Sequence, residues 1–211
     1  MNIIRKINVR EATARDTLEL YQWRNDPVTR QNSINTGVVE FIDHCAWFER
    51  ALVNPNRKIM IGVNHDKQNV GMVRFDFNES QTSAIVSINV NPAHRGKGIS
   101  TRLLTTAMHQ IQKEHALVFH AEIRHDNIAS IKCFTRCSFT REDTTETSYI
   151  YKNRLGIIDA IEQVRAANNV NWMDLLRLAF TSAPKEAGEI VRRINTDDNK
   201  ISDLLKQLGE E

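Results

Sequence analysis

The chain has 211 residues, 41% of them hydrophobic and 26% charged, which describes a globular chain and not a disordered one. That length suits one α/β domain with a small appendage. A formal net charge of +2 is too balanced for a dedicated nucleic-acid binder. The longest near-apolar run, Ile59-Met60-Ile61-Gly62-Val63, falls far short of the ~20 residues that span a bilayer. The opening Met-Asn-Ile-Ile-Arg-Lys holds no apolar segment of signal-peptide length, so no export signal is expected. Cys45, Cys133 and Cys137 are accordingly expected as reduced thiols in a cytoplasmic protein.

In chain order, Ile3 to Val9 alternates as a strand, and Thr13 or Asp16 can cap a helix over Thr17 to Arg24. Phe41, Cys45, Phe48 and Leu52 recur at helical spacing within Glu40 to Leu52. Lys58 to Val63 and Val70 to Phe77 are β-type runs joined by the turn-prone His65-Asp66-Lys67-Gln68-Asn69, and Ala84 to Val90 follows. The three make a meander of antiparallel strands. Asn91-Pro92 stops it, because proline has no amide to give to a ladder. Beyond a glycine-containing loop, Leu103, Leu104, Ala107, Met108 and Ile111 form the apolar face of a helix. Leu117 to Ile123 is then a strand, Asn127 to Thr135 a helix, and Phe139 to Arg141 and Tyr149 to Lys152 are short strands.

From about Leu155 the pattern is helical throughout. Ile157, Ile158, Ile161 and Val164 mark one helix, and Trp172, Leu175, Leu176 and Ala179 a second, read as core packing. Ile190, Val191 and Ile194 mark a third and Ile201, Leu204, Leu205 and Leu208 a fourth, with Ser182 and Thr196 as N-caps. The expected fold is α/β (α+β): a mixed central sheet with helices on both faces over residues 1–154, plus an all-helical extension over 155–211. So small an extension is marginal as an isolated core, so it is expected to pack on something.

Arg95-Gly96-Lys97-Gly98-Ile99-Ser100 lies between a strand and a helix. Glycines there let backbone amides converge, and the helix N-terminus adds about half a positive charge. Such a loop can cradle a pyrophosphate; the structural alternative is a glycine turn with solvated basic residues. It matches neither the Walker pattern nor Gly-x-Gly-x-x-Gly. Its Arg-x-x-Gly-x-Ser spacing after Val-Asn-Pro resembles the Arg-x-x-Gly-x-[Gly/Ala] acetyl-CoA-binding motif of the GNAT superfamily of N-acetyltransferases. Asn127-Ile128-Ala129-Ser130-Ile131-Lys132-Cys133-Phe134, ending at Ser138-Phe139, is similar to that superfamily's second segment. The resemblance covers residues 1 to about 152. It implies a GNAT fold and an acetyl-CoA cosubstrate held by Ile88, Asn89 and Val90 of a strand that parts from its neighbour. Arg95, Gly96, Lys97, Gly98, Ile99, Ser100, Asn127, Ser130 and Phe134 would complete that site; Asn127 is also a natural N-cap. Ser100 stands where glycine or alanine is usual, Ser138 where glycine is usual, and Phe134 where many members carry a tyrosine that protonates the departing thiolate.

Tyr21-Gln22-Trp23-Arg24-Asn25-Asp26-Pro27-Val28-Thr29-Arg30, with His44-Cys45-Ala46-Trp47-Phe48, resembles the branch that acetylates UDP-4-amino sugars in pseudaminic acid and flagellin glycan biosynthesis. That branch shades into the acetyltransferases of ribosomal-protein N-termini. The resemblance implies substrate contacts from Trp23, Arg24, Arg30, His44 and Trp47. Trp23 and Arg24 can stack on a uracil or brace a pyrophosphate; the alternative is core aromatics and an Arg24–Asp26 ion pair. For a general base, Glu122 and His120 share one face of a strand and His44 titrates near neutral pH. Alternatively Glu122 pairs with Arg124 or Lys132, and His120 is an interior histidine. Cys133 and Cys137, four apart on a helix, read as buried small hydrophobes, and no metal site is expected.

The implied function is acetyl transfer from acetyl-CoA to the amine of a nucleotide-linked amino sugar, by direct attack in a ternary complex. The alternatives are N-terminal peptide acetylation or a weakly catalytic GNAT-fold scaffold. The helical extension is expected to support a homodimer or to dock a neighbouring enzyme.

Overall fold

The computed structural model describes residues 7–114, 117–154, 172–173 and 175–208. The chain divides into two compact units, Met1–Asp159 and Ala160–Glu211. In the first unit, β1 (Asn8–Glu11), β2 (Arg57–Val63), β3 (Asn69–Phe77) and β4 (Ser83–Val90) lie antiparallel in sequence order. Next to β4 runs β5 (Val118–Arg124), parallel to it, and β7 (Ser148–Asn153) lies between β5 and the edge strand β6 (Thr140–Thr144). The result is a seven-stranded mixed sheet of order β1-β2-β3-β4-β5-β7-β6. The parallel pair needs a crossover, supplied by α4 (Ile99–Gln112).

Each face of the sheet carries its own core, because successive residues of a strand point to opposite sides. On one face Val73, Phe75, Phe119, Ala121 and Ile123 pack against Leu103, Leu104, Ala107, Met108 and Ile111 of α4, and against Cys133 and Phe134 of α5 (Ile128–Arg136). On the other, Ile59 and Ile61 pack under Leu20 and Trp23 of α1 (Thr17–Asn25) and under Phe48 and Ala51 of α3 (Phe41–Val53). The seat of α4 is set by two glycines opposite each other in the β2–β3 register, Gly62 and Gly71. A Cβ on Gly62 would stand 2.5 Å from Leu103 Cδ1, and one on Gly71 2.7 Å from the Asn89 carbonyl and 2.9 Å from Leu103 Cδ2. The bare backbone there is the dent into which Leu103 settles.

Several sequence expectations change. Of the first strand, residues 3–6 lie outside the described residues, and β1 begins at Asn8. Thr13 caps a 3-10 turn (Ala14–Asp16) ahead of α1: its amide donates to Asp16 Oδ2 at 2.8 Å. A short helix, α2 (Pro27–Gln31), was not foreseen from periodicity because one and a half turns show none. Its signal is local: Asp26 accepts from the Thr29 amide at 2.9 Å, and proline opens the first turn. Ser138 sits at φ 62°, which is why glycine suits that turn elsewhere.

In the second unit, residues 175–182 are helical and Pro184–Leu208 is one continuous helix. Thr196 therefore lies inside it and caps nothing, its hydroxyl donating to the Arg192 carbonyl at 2.9 Å. Ser182 belongs to the preceding helical turn, and Pro184 takes the first position of the long helix. Trp172 and Leu175 are 49% and 55% exposed, not core. The helix expected at Ile157 to Val164 lies outside the described residues. No helix among the described residues is long and apolar enough to cross a membrane.

Leu103 is fully buried over the glycine pair. Leu103→Ala is expected to cost about 3 kcal/mol of stability, the usual range for a buried leucine, read as a lowered denaturant midpoint with unchanged m.

Candidate functional site

The site begins where a ladder stops. β4 and β5 pair only from Ser83–Ile85 against Val118–His120. Beyond that β5 continues with β7 alone, and Val86–Val90 of β4 keep only their β3 partners. The backbone groups on the freed edge of β4 therefore face a gap in the sheet, and such groups demand a partner. A cavity of about 490 Å³ opens through this gap. Val86, Ile88, Ile123, Asn127, Ser130 and Phe134 line its α5 side. Ser87, Asn89, Met72, Arg74 and Glu122 line the opposite side, together with Leu20, Arg24, His44, Trp47 and the segment Asn32-Ser33-Ile34-Asn35.

The loop at the head of α4 is built as a donor nest. Gly96 and Gly98 have φ of 74° and 67°, the left-handed region that glycine enters freely, and Gly98 is the residue before the first turn of α4. A Cβ on Gly96 would meet nothing within 4 Å, and one on Gly98 only Arg102 Nη2 at 3.8 Å. Backbone conformation, not space, selects glycine here. No hydrogen bond from the amides of Gly96 to Ser100 occurs among those described within the protein; the first turn of a helix leaves such amides free. The side-chain charges are less free. Arg95 reaches Asp26 Oδ2 at 2.7 Å and Thr29 Oγ1 at 2.6 Å, and Lys97 Nζ donates to the Ala93 carbonyl at 2.8 Å. Asp26 is thus the partner of Arg95 and not of Arg24, and the ion pair ties the α1–α2 corner to the loop.

Asn127 does the capping: its Oδ1 accepts from the Ser130 amide at 3.0 Å and its Nδ2 donates to the Asn32 carbonyl at 3.1 Å. Phe134 is buried and meets Phe139 edge-on, ring centroids 4.9 Å apart. Of the expected cofactor residues, Ile88, Asn89, Asn127, Ser130 and Phe134 line the cavity, whereas Val90 and the loop from Arg95 to Ser100 are not among its lining residues.

The candidate bases separate. Glu122 lines the cavity and accepts a hydrogen bond from Ser148 Oγ at 2.6 Å. Arg124 is committed to Asp126 by bonds of 3.0 and 2.9 Å. His120 sits in the stretch still paired with β4, opposite Ile85, and is not a cavity residue. Burial lowers its pKa, helped by Lys152 and Arg154. His44 lines the cavity but is buried in a ring cluster with Tyr21, Trp47 and Phe48. Its Nε2 lies 3.1 Å from the Thr17 carbonyl, which can only accept, so Nε2 carries the proton. Burial lowers its pKa and Arg24 adds to this, so the ring is neutral at pH 7.

The expected acceptor residues also divide. Trp23 is 4% exposed inside the second core and has no face toward the cavity. Arg30 lies outside the lining, whereas Trp47 belongs to it, with the Arg57 and Arg74 guanidiniums 5.8 and 5.9 Å from its ring centroid. Arg24 donates from Nη2 to the Asn35 carbonyl at 2.8 Å, and its buried Nη1 has no acceptor. Burial and the neighbouring Arg30 charge lower its pKa from the usual arginine value. Sequence reasoning missed Arg74, Ser87 and the Asn32–Asn35 segment. Arg74, a charge at one alternating position of an otherwise apolar strand, was the one legible signal. Among the described residues no group of three or more His, Cys, Asp or Glu is placed to hold a metal. Cys133 and Cys137 are free and buried.

These features have relatives. The sequence profile of the acetyltransferase (GNAT) family matches residues 17–139, and the chain belongs to that family. It is 32% identical over 99 residues to the uncharacterized N-acetyltransferase YfmK of Bacillus subtilis (strain 168), a match spanning 46% of this chain and 64% of that relative. Two solved structures share the fold. A domain from Methanocaldococcus jannaschii DSM 2661 superposes with a TM-score of 0.63 at 22% identity, covering 71% of this chain and 98% of that one. The spermidine N-acetyltransferase of Vibrio cholerae, in complex with CoA and spermine, gives 0.61 at 15% identity, covering 70% of this chain and 93% of that one.

Burial raises the Asp26 carboxyl, but the Thr29 amide and Arg95 outweigh it and hold the group below the usual carboxylate range. A depressed folded value gives stability that is present above the unfolded pKa and lost as pH falls through the folded one. Asp26→Asn is therefore expected to cost about 1 kcal/mol at pH 7 and much less near pH 3, checked by denaturant melts at the two pH values.

Proposed function

We propose that the chain transfers the acetyl group of acetyl-CoA to a primary amine by direct attack. The observation that carries this reading is the parting of β4 and β5 beside the unpartnered amides of Gly96 to Ser100, with Glu122 across the gap. The freed edge of β4 suits the amide-bearing pantetheine arm, and the loop amides at the head of α4 suit its diphosphate. The amine nitrogen attacks the thioester carbonyl, the new C–N bond forms, and the C–S bond breaks. Glu122 takes the ammonium proton and passes it to solvent. Phe134 has no proton to give, so the CoA thiolate takes its proton from water; a thiol pKa near 8.5 makes it a tolerable leaving group.

For the acceptor, we propose a nucleotide-linked amino sugar of the UDP-4-amino type. The support is electrostatic. Arg24 and Arg30 influence each other as like charges, and the only described hydrogen bond of Arg24 is to a neutral carbonyl. A buried cation without a counter-ion is costly, and a diphosphate supplies one with the bidentate geometry that arginine favours. Residues 155–211 are proposed as a helical extension for self-association or for docking another enzyme. Truncation after Arg154 is then expected to change the mass in light scattering or lose a partner, with acetyl-CoA affinity unchanged.

Calorimetry with acetyl-CoA tests the cradle, and absence of binding removes the reading. Thiol release is then followed with a UDP-linked 4-amino sugar, an N-terminal peptide and spermidine. Turnover is expected with the sugar; turnover with the peptide alone makes the chain an N-terminal acetyltransferase, and silence with all three leaves a binding protein. Glu122→Gln is expected to lower kcat at least tenfold, within the range for general bases, with acetyl-CoA affinity unchanged.

A further inference from the structure

Glu122 is not simply solvated at the cavity mouth. Ser148, fully buried at the start of β7, donates from Oγ to Glu122 Oε1 at 2.6 Å. In the β5–β7 register Ser148 stands opposite Arg124 and Ile150 opposite Glu122, so the contact is the diagonal one between strands. Behind Ser148 lies Thr145, its Oγ1 2.7 Å from Ser148 Oγ. The direction of these bonds follows from proton counting. A carboxylate only accepts, so the single Ser148 hydroxyl proton goes to Glu122. Thr145 Oγ1 then shares its one proton between Ser148 Oγ and the Ser148 carbonyl 3.2 Å away, and its oxygen accepts from the Ser148 amide at 3.0 Å and the Thr147 amide at 3.4 Å. The backbone of the β6–β7 turn thus orients one hydroxyl, which orients a second, which aims at one oxygen of Glu122. The nearby cation that could have claimed the carboxylate, Arg124, is bound to Asp126 instead.

We propose that Ser148 is a positioning residue for acetyl transfer, fixing Glu122 through Oε1 and leaving Oε2 to take the amine proton. The inference rests on the reading of Glu122 as the base. Thr145 acts one step further back, by fixing the Ser148 rotor.

The test uses the full chain with acetyl-CoA and whichever of the UDP-linked 4-amino sugar, the N-terminal peptide and spermidine is turned over. In Ser148→Ala kcat is expected to fall about tenfold, the size of a lost charge-assisted hydrogen bond, while KM for acetyl-CoA stays the same. The same substitution made in Glu122→Gln is expected to cause no further loss. An unchanged kcat in Ser148→Ala, or an equal loss of kcat in both backgrounds, overturns the proposal and leaves Ser148 a packing residue while Glu122 remains the base. Unchanged turnover of Glu122→Gln alone removes Glu122 as the base, and the positioning role with it. Silence with all three amines overturns the proposal together with the reading of the chain as a transferase. Should Ser148→Ala fail to fold, Ser148→Cys, a weaker donor of similar size, is measured the same way and is expected to give a smaller loss of kcat in the same direction.

Discussion

The structure turns on an incomplete parallel pairing. Three residues of β4 meet three of β5, and then the strands separate. In a closed sheet the groups of Val86 to Val90 would be spent on a neighbour, and no cavity would cross the sheet. With the ladder cut short, one edge of backbone donors and acceptors is left in the interior, facing a cavity lined by residues of α5 and of α1, α2 and α3. Unpaired polar backbone in such a place is costly unless water or a ligand satisfies it. The same parting decides which side chains reach the cavity. Glu122 lies just past the last paired residue, and His120, two residues earlier, lies within the pairing.

Everything beside that gap is held by packing and by a few charges with assigned partners. Gly62 and Gly71 leave a dent in β2 and β3, Leu103 fills it, and this sets the height of α4 over the sheet. The left-handed turn at Gly98 then opens the first turn of α4. From the other face, Asp26 closes the α1–α2 corner on Arg95, so that corner and the loop ahead of α4 share an ion pair.

Charge in the cavity is sorted in a way that fits amine acylation. His44 is kept neutral by burial and by the Arg24 charge, which leaves Glu122 as the anionic base candidate on the lining. Arg24 brings a cation with no counter-ion among the described residues, and Phe134 brings an apolar wall with no proton to give. An acid is less needed when the leaving group is a thiolate than when it is an alkoxide, because the thiolate is far less basic.

Much of the first unit was legible in local pattern. The strands around Ile61, Phe75 and Val86, the helix carrying Leu103 to Ile111 and the glycine loop ahead of it follow from periodicity and from the conformations that only glycine and proline favour. Those signals act over a few residues and need no fold to be read. The roles of Trp23, Arg95 and Ser148 were not legible, because each depends on a partner remote in sequence. Trp23 was sealed into a core by Ile59 and Phe48, Arg95 was claimed by Asp26 across 69 positions, and Ser148 met Glu122 only because β7 pairs with β5. In the tail, Thr196 has the chemistry of a cap, yet the helix runs through it, since a good capping residue permits a start and does not impose one. Local stereochemistry thus determined the elements and the loop. Which charges are neutralised, which aromatics are closed off and where the sheet opens were decided by the three-dimensional pairing of strands, since electrostatic and packing energies depend on distance in space and not on distance along the chain.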